Sequence, residues 1–134
     1  MKTELRIQHY ESGGIKYIRS YLNGVRHGQW AAFYESGLIE FVGNYVEGKG
    51  QGIRKEWYSN GSLKEESYYH NNEQYPINFW DESGKQILKD GSGYTIAEFG
   101  TNGWDVYHQF FENGVFIREV KVAGVTYGKF IADE

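Results

Sequence analysis

Four histidines, two pairs of adjacent acids and a series of glycine loops are the parts of this chain that could do chemistry. His9, His27, His70 and His108 are widely spaced. None stands at His-x3-His or comparable ligand spacing from another histidine, and the chain has no cysteine to complete a metal site or to act as a thiolate nucleophile. His9 shares a column with Phe33 and Trp57, which predicts packing in an aromatic ladder. Glu65-Glu66 and Asp81-Glu82 are neighbours in sequence. Paired carboxylates can cleave glycosides only when they converge across a cleft, and neighbours in a strand point to opposite faces. A solvated face or a turn is the reading that adjacency favours. The serines lie mostly in turns, and no GxSxG elbow occurs. The glycine loops lack the lysine and following helix of a phosphate cradle. The DGSG run at 90–93 lacks the alternating ligands of a calcium loop. The expectation is therefore no enzyme, no metal and no cofactor.

What remains is binding chemistry. Acids are spread along the chain at Glu40, Glu47, Glu56, Glu65, Glu66, Asp81, Glu82, Glu112 and Glu119, and Trp30, Trp57, Trp80 and Trp104 supply large anchors. An acidic rim speeds encounter with a basic partner, and buried aromatics fix a complex. The same acids would keep an edge-rich sheet soluble, and the same tryptophans would serve as core. The net charge of −4 argues against a nucleic-acid binder, which would usually carry a basic patch. The N-terminal MKTELRIQHY has no apolar run of signal-peptide length, and no stretch approaches the roughly 18 apolar residues of a membrane span. A cytoplasmic protein is expected.

The elements that must position these residues are set by a repeat. Tyr10, Tyr34 and Tyr58 stand 24 residues apart, as do Gly13, Gly37 and Gly61, and Tyr21, Tyr45 and Tyr69. Ile15, Ile39 and Leu63 keep the step, and Gly24/Gly48 and Gly28/Gly52 match in pairs. A fixed period of this size means a repeat architecture. Aromatics make up 18% of the chain, with 12 Tyr, and 18 Gly stand against a single Pro. Tyrosine favours pleated surfaces and glycine punctuates turns, so each unit reads as two antiparallel strands joined by one tight turn and one longer loop.

Strands are predicted at Glu4–Tyr10, Ile15–Leu22, Gln29–Tyr34, Leu38–Val46, Ile53–Tyr58, Ser62–Tyr69, Tyr94–Phe99 and Trp104–Glu112. NGVRHG and EGKGQG are predicted as the longer loops. After Tyr69 the pattern loosens. Asn72 and Pro76 replace glycines, which predicts a loop unlike the others and an edge, bulge or irregular link at Tyr75-Pro76. FENG at 111–114 and the glycines Gly124 and Gly128, with Phe130 in the column of Trp30, restore the repeat. The units run near 10–33, 34–57, 58–83 (degenerate), 84–110 and 111–131 of a single domain, 1–134. Because the side-chain period in a strand is 2, a 24-residue repeat keeps equivalent residues on one face, so the tyrosine columns should run across the hairpins like rungs. An all-β antiparallel meander of roughly ten to twelve strands is expected, as a long twisted sheet or a curled half-barrel.

The signature YxSGxI or YxNGxL, then a tyrosine, then NGxxxGxW or EGxxxGxI, resembles the bacterial variant of the MORN repeat. The chain looks most like the group of such proteins known as YwqK-type antitoxins, from about Tyr10 to Phe130 and most clearly between 10 and 69. The resemblance implies neutralisation of a cognate protein toxin by direct binding, often as the immunity partner of an exported toxin such as a basic nuclease. It implies no catalytic residue. The residues favoured for the contact are Glu40, Glu56, Glu65, Glu66, His70, Tyr75, Trp80, Asp81 and Glu82, grouped around the break in the repeat from about His70 to Glu82. No nucleic-acid or membrane partner is expected, and the chain should be a monomer or a homodimer paired through free edge strands. The alternatives are a MORN-type scaffold or membrane-surface module and, more remotely, a carbohydrate-binding repeat protein.

Overall fold

The computed structural model describes residues 2–99, 105–126 and 129–132. Among these there is no helix, and thirteen strands form one antiparallel sheet. They are β1 (Thr3–His9), β2 (Ile15–Leu22), β3 (Val25–Phe33), β4 (Ile39–Val46), β5 (Lys49–Gly50), β6 (Gly52–Trp57), β7 (Leu63–His70), β8 (Glu73–Trp80), β9 (Gln86–Lys89), β10 (Ser92–Phe99), β11 (Asp105–Glu112), β12 (Val115–Thr126) and β13 (Lys129–Ala132). The order along the sheet follows the chain, with β5 pairing β4 just ahead of β6. The sheet is open, with β1 at one end and β13 at the other.

Two kinds of turn alternate. The turns at Asn23-Gly24, Glu47-Gly48, Asn71-Asn72, Asp90-Gly91 and Asn113-Gly114 have positive φ at both residues, the geometry that matches the twist of a tight hairpin. This reverses the expected assignment: NGVRHG and EGKGQG are two-residue turns, and strand resumes at once at Val25 and Lys49. The second glycine of each pair, Gly28 or Gly52, lies within or at the start of a strand, at φ +96° or +89°, beside an irregularity in register. The third such turn is also regular. Asn71 and Asn72, at φ 50° and 74°, take the place of Glu47 and Gly48, at 50° and 85°. Asparagine tolerates this left-handed region, so the loss of glycine does not change the loop. Pro76 does sit beside a bulge, at the Glu66/Ser67 register shift. It lies within an internal strand rather than at an edge; β9 pairs only with Phe79 and Trp80, so no ladder on that side asks Pro76 for an N–H.

The YxSG turns form the other kind. Tyr10 N–H donates to the Gly14 carbonyl at 2.8 Å and Gly13 N–H to the Tyr10 carbonyl at 2.9 Å; the same pair of bonds recurs at Tyr34, Tyr58 and Asp81. Past each turn the returning strand carries one extra residue, in turn Lys16, Glu40, Lys64 and Ile87. The fourth is apolar and buried, so Ile87 and its neighbour Leu88 both enter the core with Phe79, against which Tyr94, Ile96 and Phe111 pack. Gly93 lets two backbones meet there: a Cβ would fall 2.1 Å from the Ile87 carbonyl oxygen.

Successive turns are tied at both ends of the strands. At one end the Tyr10 hydroxyl donates to the Phe33 carbonyl at 2.6 Å, Tyr34 to Trp57 at 2.6 Å and Tyr58 to Trp80 at 2.8 Å. Burial, reinforced by nearby acids, pushes the Tyr58 hydroxyl up to about 12, so it stays a donor. At the other end each turn bonds to a residue in or just past the preceding turn: Gly48 N–H to the Arg26 carbonyl, Asn72 to Gly50 and Gly114 to Gly91, at 2.8–3.0 Å. His9 takes no part in such a ladder; its side chain is exposed. The expectations for Trp104 and Gly128, and for the side chains of Gly124 and Phe130, lie outside the described residues.

Tyr34→Phe and Tyr58→Phe should each lower the unfolding free energy by about 1 kcal/mol in urea titrations. The two losses should add, because the rungs lie about two strand spacings apart. Gly93→Ala should cost more than either, since backbone must move to admit its Cβ; a Tm unchanged from the parent would contradict the close approach.

Candidate functional site

Pairing register sorts the side chains onto two faces. Gln8, Tyr17, Ala32, Phe41, Glu56, Glu65, Phe79 and Leu88 follow one another across eight strands on one face. Arg6, Arg19, Trp30 and Gly43 form the adjoining row. Aromatics and guanidinium groups alternate here. Arg6 lies over Tyr21 at 3.9 Å, Arg19 over Tyr17 at 4.0 Å, Arg26 over Tyr45 at 4.8 Å and Arg54 over Phe41 at 4.4 Å. Trp30 stands between Tyr21 and Tyr45, at ring distances of 5.9 and 4.8 Å. The tyrosine rungs expected from the repeat are therefore present with Trp30 and Arg54 set between them. Arg19 Nε is buried without a hydrogen-bond partner, its charge held by the two rings around it.

The opposite face is open and mixed, with exposed aliphatic and tyrosine side chains among Ser20, Gln29 and Asn44. Ile7, Ile18, Ala31 and Val42 form one row across it, and Ile53, Tyr68 and Tyr75 another. Leu5, Ile7, Ile53, Tyr68 and Tyr75 are 40–60% exposed. Lys55 and Glu66, paired at 3.2 Å, continue the first row beyond Val42.

The nine residues favoured from the sequence do not form one surface. Glu56 and Glu65 are cross-strand partners on the aromatic face. Glu65 is half-buried and accepts from Ser67 Oγ at 3.1 Å and Gln74 Nε2 at 3.2 Å. Burial first, and the Glu56 charge second, raise its pKa. Glu66 belongs to the opposite face, where it also accepts from Asn78 at 3.0 Å. Tyr75 is exposed there, its hydroxyl donating to Glu73 at 2.9 Å. His70 faces the 71–72 turn within 3.4 Å of Gln51 and Asn71 side chains. Glu40 is the extra residue of its bulge, close enough to Tyr10 and Tyr34 to add to the rise that burial causes in both. Trp80 and Asp81 do structural work: the Trp80 carbonyl ends the tyrosine ladder, and the Asp81 carboxylate accepts from Ser83 and from the Lys85 N–H, which lowers its pKa. Glu82 is exposed at the tip of that turn.

In β2 Arg19 stands two residues from both Tyr17 and Tyr21, a spacing already visible in the sequence. Arg6, Arg26 and Arg54 meet rings of neighbouring strands, which only the pairing register shows. Among the described residues no group of three or more His, Asp or Glu is placed to hold a metal ion. Among them also, no helix is long and apolar enough to cross a membrane.

Replacing Glu65 by Gln should raise Tm at neutral pH. A carboxyl whose folded pKa is raised contributes stability below its unfolded value and loses it as pH rises through the folded value. The gain from Glu65→Gln should therefore be largest near pH 7 and shrink toward pH 4.5, read by thermal melts at both; an equal change at both would contradict the burial of this charge.

Compared with known proteins, the chain matches no family model, no curated protein and no solved structure.

Proposed function

We propose that this chain is a protein-binding module that acts as an antitoxin or immunity protein, neutralising a cognate toxin by covering it. The observation that carries the reading is the set of exposed aliphatic and tyrosine side chains on the open face. A sheet face with Ile53, Tyr68 and Tyr75 exposed in one register row, and Leu5 and Ile7 exposed further along it, is the kind of surface that marks an interaction site. The resemblance of YESGGI, YESGLI and YSNGSL to the bacterial MORN variant supports the antitoxin role in particular. Tyr68 and Tyr75 are rigid amphipathic anchors of the type that dominates interface energetics. Glu66, and Glu73 beside Tyr75, are placed to meet basic groups at the margin of the contact and to speed association. The remaining acids, Glu56 and Glu65 on the other face and Asp81 and Glu82 at a turn, take no part in this contact. The scaffold reading would use the same face for an assembly partner, without a toxin.

The test is a tagged pull-down from the native host, followed by expression of each captured partner alone. A single stoichiometric partner that kills cells alone and is silenced by this chain is the expected result. Tyr68→Ala should then weaken the complex by roughly tenfold or more while leaving Tm within about 1 °C, because an exposed position contributes little to folding. Recovery of only non-toxic assembly components would move the scaffold reading to first place.

A further inference from the structure

The first strand of the sheet has an unused side. Among the described residues β1 pairs with β2 alone, and its register runs without a break from Thr3 to Gln8. Asn23 N–H donates to the Lys2 carbonyl at 2.7 Å, and Lys2 N–H donates to Asn23 Oδ1 at 2.9 Å, so both backbone groups of Lys2 point inward. Successive residues of an antiparallel strand turn these groups to alternate sides. Glu4 and Arg6 therefore bond toward β2, and Thr3, Leu5 and Ile7 hold their N–H and C=O groups toward the open edge. The strand contains no proline, and its one register shift falls at its end, between Gln8 and His9. Two devices that stop an edge from pairing, proline and a bulge, are thus missing from its middle.

A second copy of the chain brings the same edge. In a closed dimer a two-fold axis normal to the sheet sets β1 antiparallel to its copy, with like faces together. Outward residues must then oppose outward residues if both sets of backbone groups are to bond. The side chains choose among the registers that remain. Glu4 and Arg6 stand on the ring-bearing face, and Leu5 and Ile7 on the open one. With the axis at Leu5, each Glu4 stands opposite an Arg6 of the other copy. With the axis at Glu4 two glutamates meet, and with the axis at Arg6 two arginines meet. An axis at Thr3 or Ile7 runs the ladder off the strand or into the Gln8/His9 shift. Opposite charges across a strand pair stabilise it and like charges oppose it. The charge pattern therefore selects the register centred on Leu5. Within each copy Arg6 Nε already donates to Glu4 Oε2 at 2.9 Å, and the pairing closes the four groups into an alternating ring. On the open face Leu5 meets Leu5 and Ile7 meets Thr3. Leu5 and Ile7 are 60% and 48% exposed, and both lose water in this arrangement.

We propose that the chain pairs with a second copy of itself through β1, antiparallel and centred on Leu5, into one sheet continuous across the dimer. The contact is one pair of seven-residue strands, a small interface, so the dimer is weak and exchanges with monomer. It sets the open faces of both copies on the same side, which would let a partner with two sites be held at both. The pairing needs no toxin, so it holds or fails independently of the antitoxin reading.

The test is sedimentation of the full chain over roughly 1 μM to 1 mM, where a dimer with Kd on the order of 100 μM or tighter is expected. Glu4→Arg sets like charges opposite each other and should weaken the dimer by roughly tenfold or more. The double reversal Glu4→Arg/Arg6→Glu restores the complementarity and should recover it, which a merely misfolded variant would not do. Tyr68→Ala should leave the dimer unchanged. The chain has no cysteine, so single cysteines report the register. Leu5→Cys should oxidise to a cross-linked dimer, since opposed Cα atoms about 5.5 Å apart lie within disulfide reach. Ile7→Cys should cross-link with Thr3→Cys and not with itself. A melt of each variant shows that it is folded. A monomer throughout that range, growth beyond the dimer by addition of β1 to β13, cross-linking of Ile7→Cys to itself in preference to Leu5→Cys, or a folded double reversal that stays monomeric would each overturn the proposal.

Discussion

The structure depends on lateral contact. A lone hairpin in water is marginal, and this chain lays hairpin beside hairpin in one continuous meander. Backbone ladders join the strands, but a ladder alone leaves its ends free to fray. Here both ends are fastened. The tyrosine hydroxyl of one turn bonds to the carbonyl just before the next turn on one side, and turn amides bond to a carbonyl in or just past the preceding turn on the other. The fastening matters because the apolar core is small. Ala32, Phe79, Ile87 and Leu88 are the buried hydrophobics among the described residues, and three of them lie together near β8 and β9. The N-terminal units are held more by stacked rings, guanidinium groups and the two bonded margins.

The repeat is the part of this that the sequence announces. A 24-residue step in tyrosine and glycine is enough to give an antiparallel meander, because equal spacing with a period-2 side chain keeps each column on one face. The kinds of turn were harder to assign. Glycines four apart look like the two ends of one loop. In fact the first closes a two-residue turn and the second relaxes a bulge within the strand. The third unit looked broken because Asn72 and Pro76 interrupt the glycine columns. Asparagine takes the same left-handed φ, so that turn is regular, and the proline stands at a bulge where β9 makes no ladder.

The candidate surfaces were less legible than the fold. Acid counts showed charge without direction. Glu65 and Glu66 are neighbours in sequence, yet one shares a face with Glu56 and Phe79 and the other with Lys55 and Asn78. Arg6, Arg26 and Arg54 were the missed residues. An Arg two places from a Tyr is unremarkable in one strand, and it becomes a stack only when the adjacent strand supplies the next ring. The two faces now divide the work: one holds the sheet through cation–ring contacts, and the other leaves aliphatic and tyrosine side chains open.

The bulges give the molecule slack. A residue lost from a regular ladder would turn every later side chain over. In the third unit the stretch from turn to turn is one residue shorter, since Asp81 follows Tyr58 by 23 rather than 24. The register beside Pro76 skips one residue where the comparable irregularity in the first unit skips two. The faces beyond it are unchanged: Phe79 still meets Glu65 on the ring-bearing side. These kinks act as expansion joints, so the ladder absorbs a one-residue change in spacing at them without exchanging inside for outside.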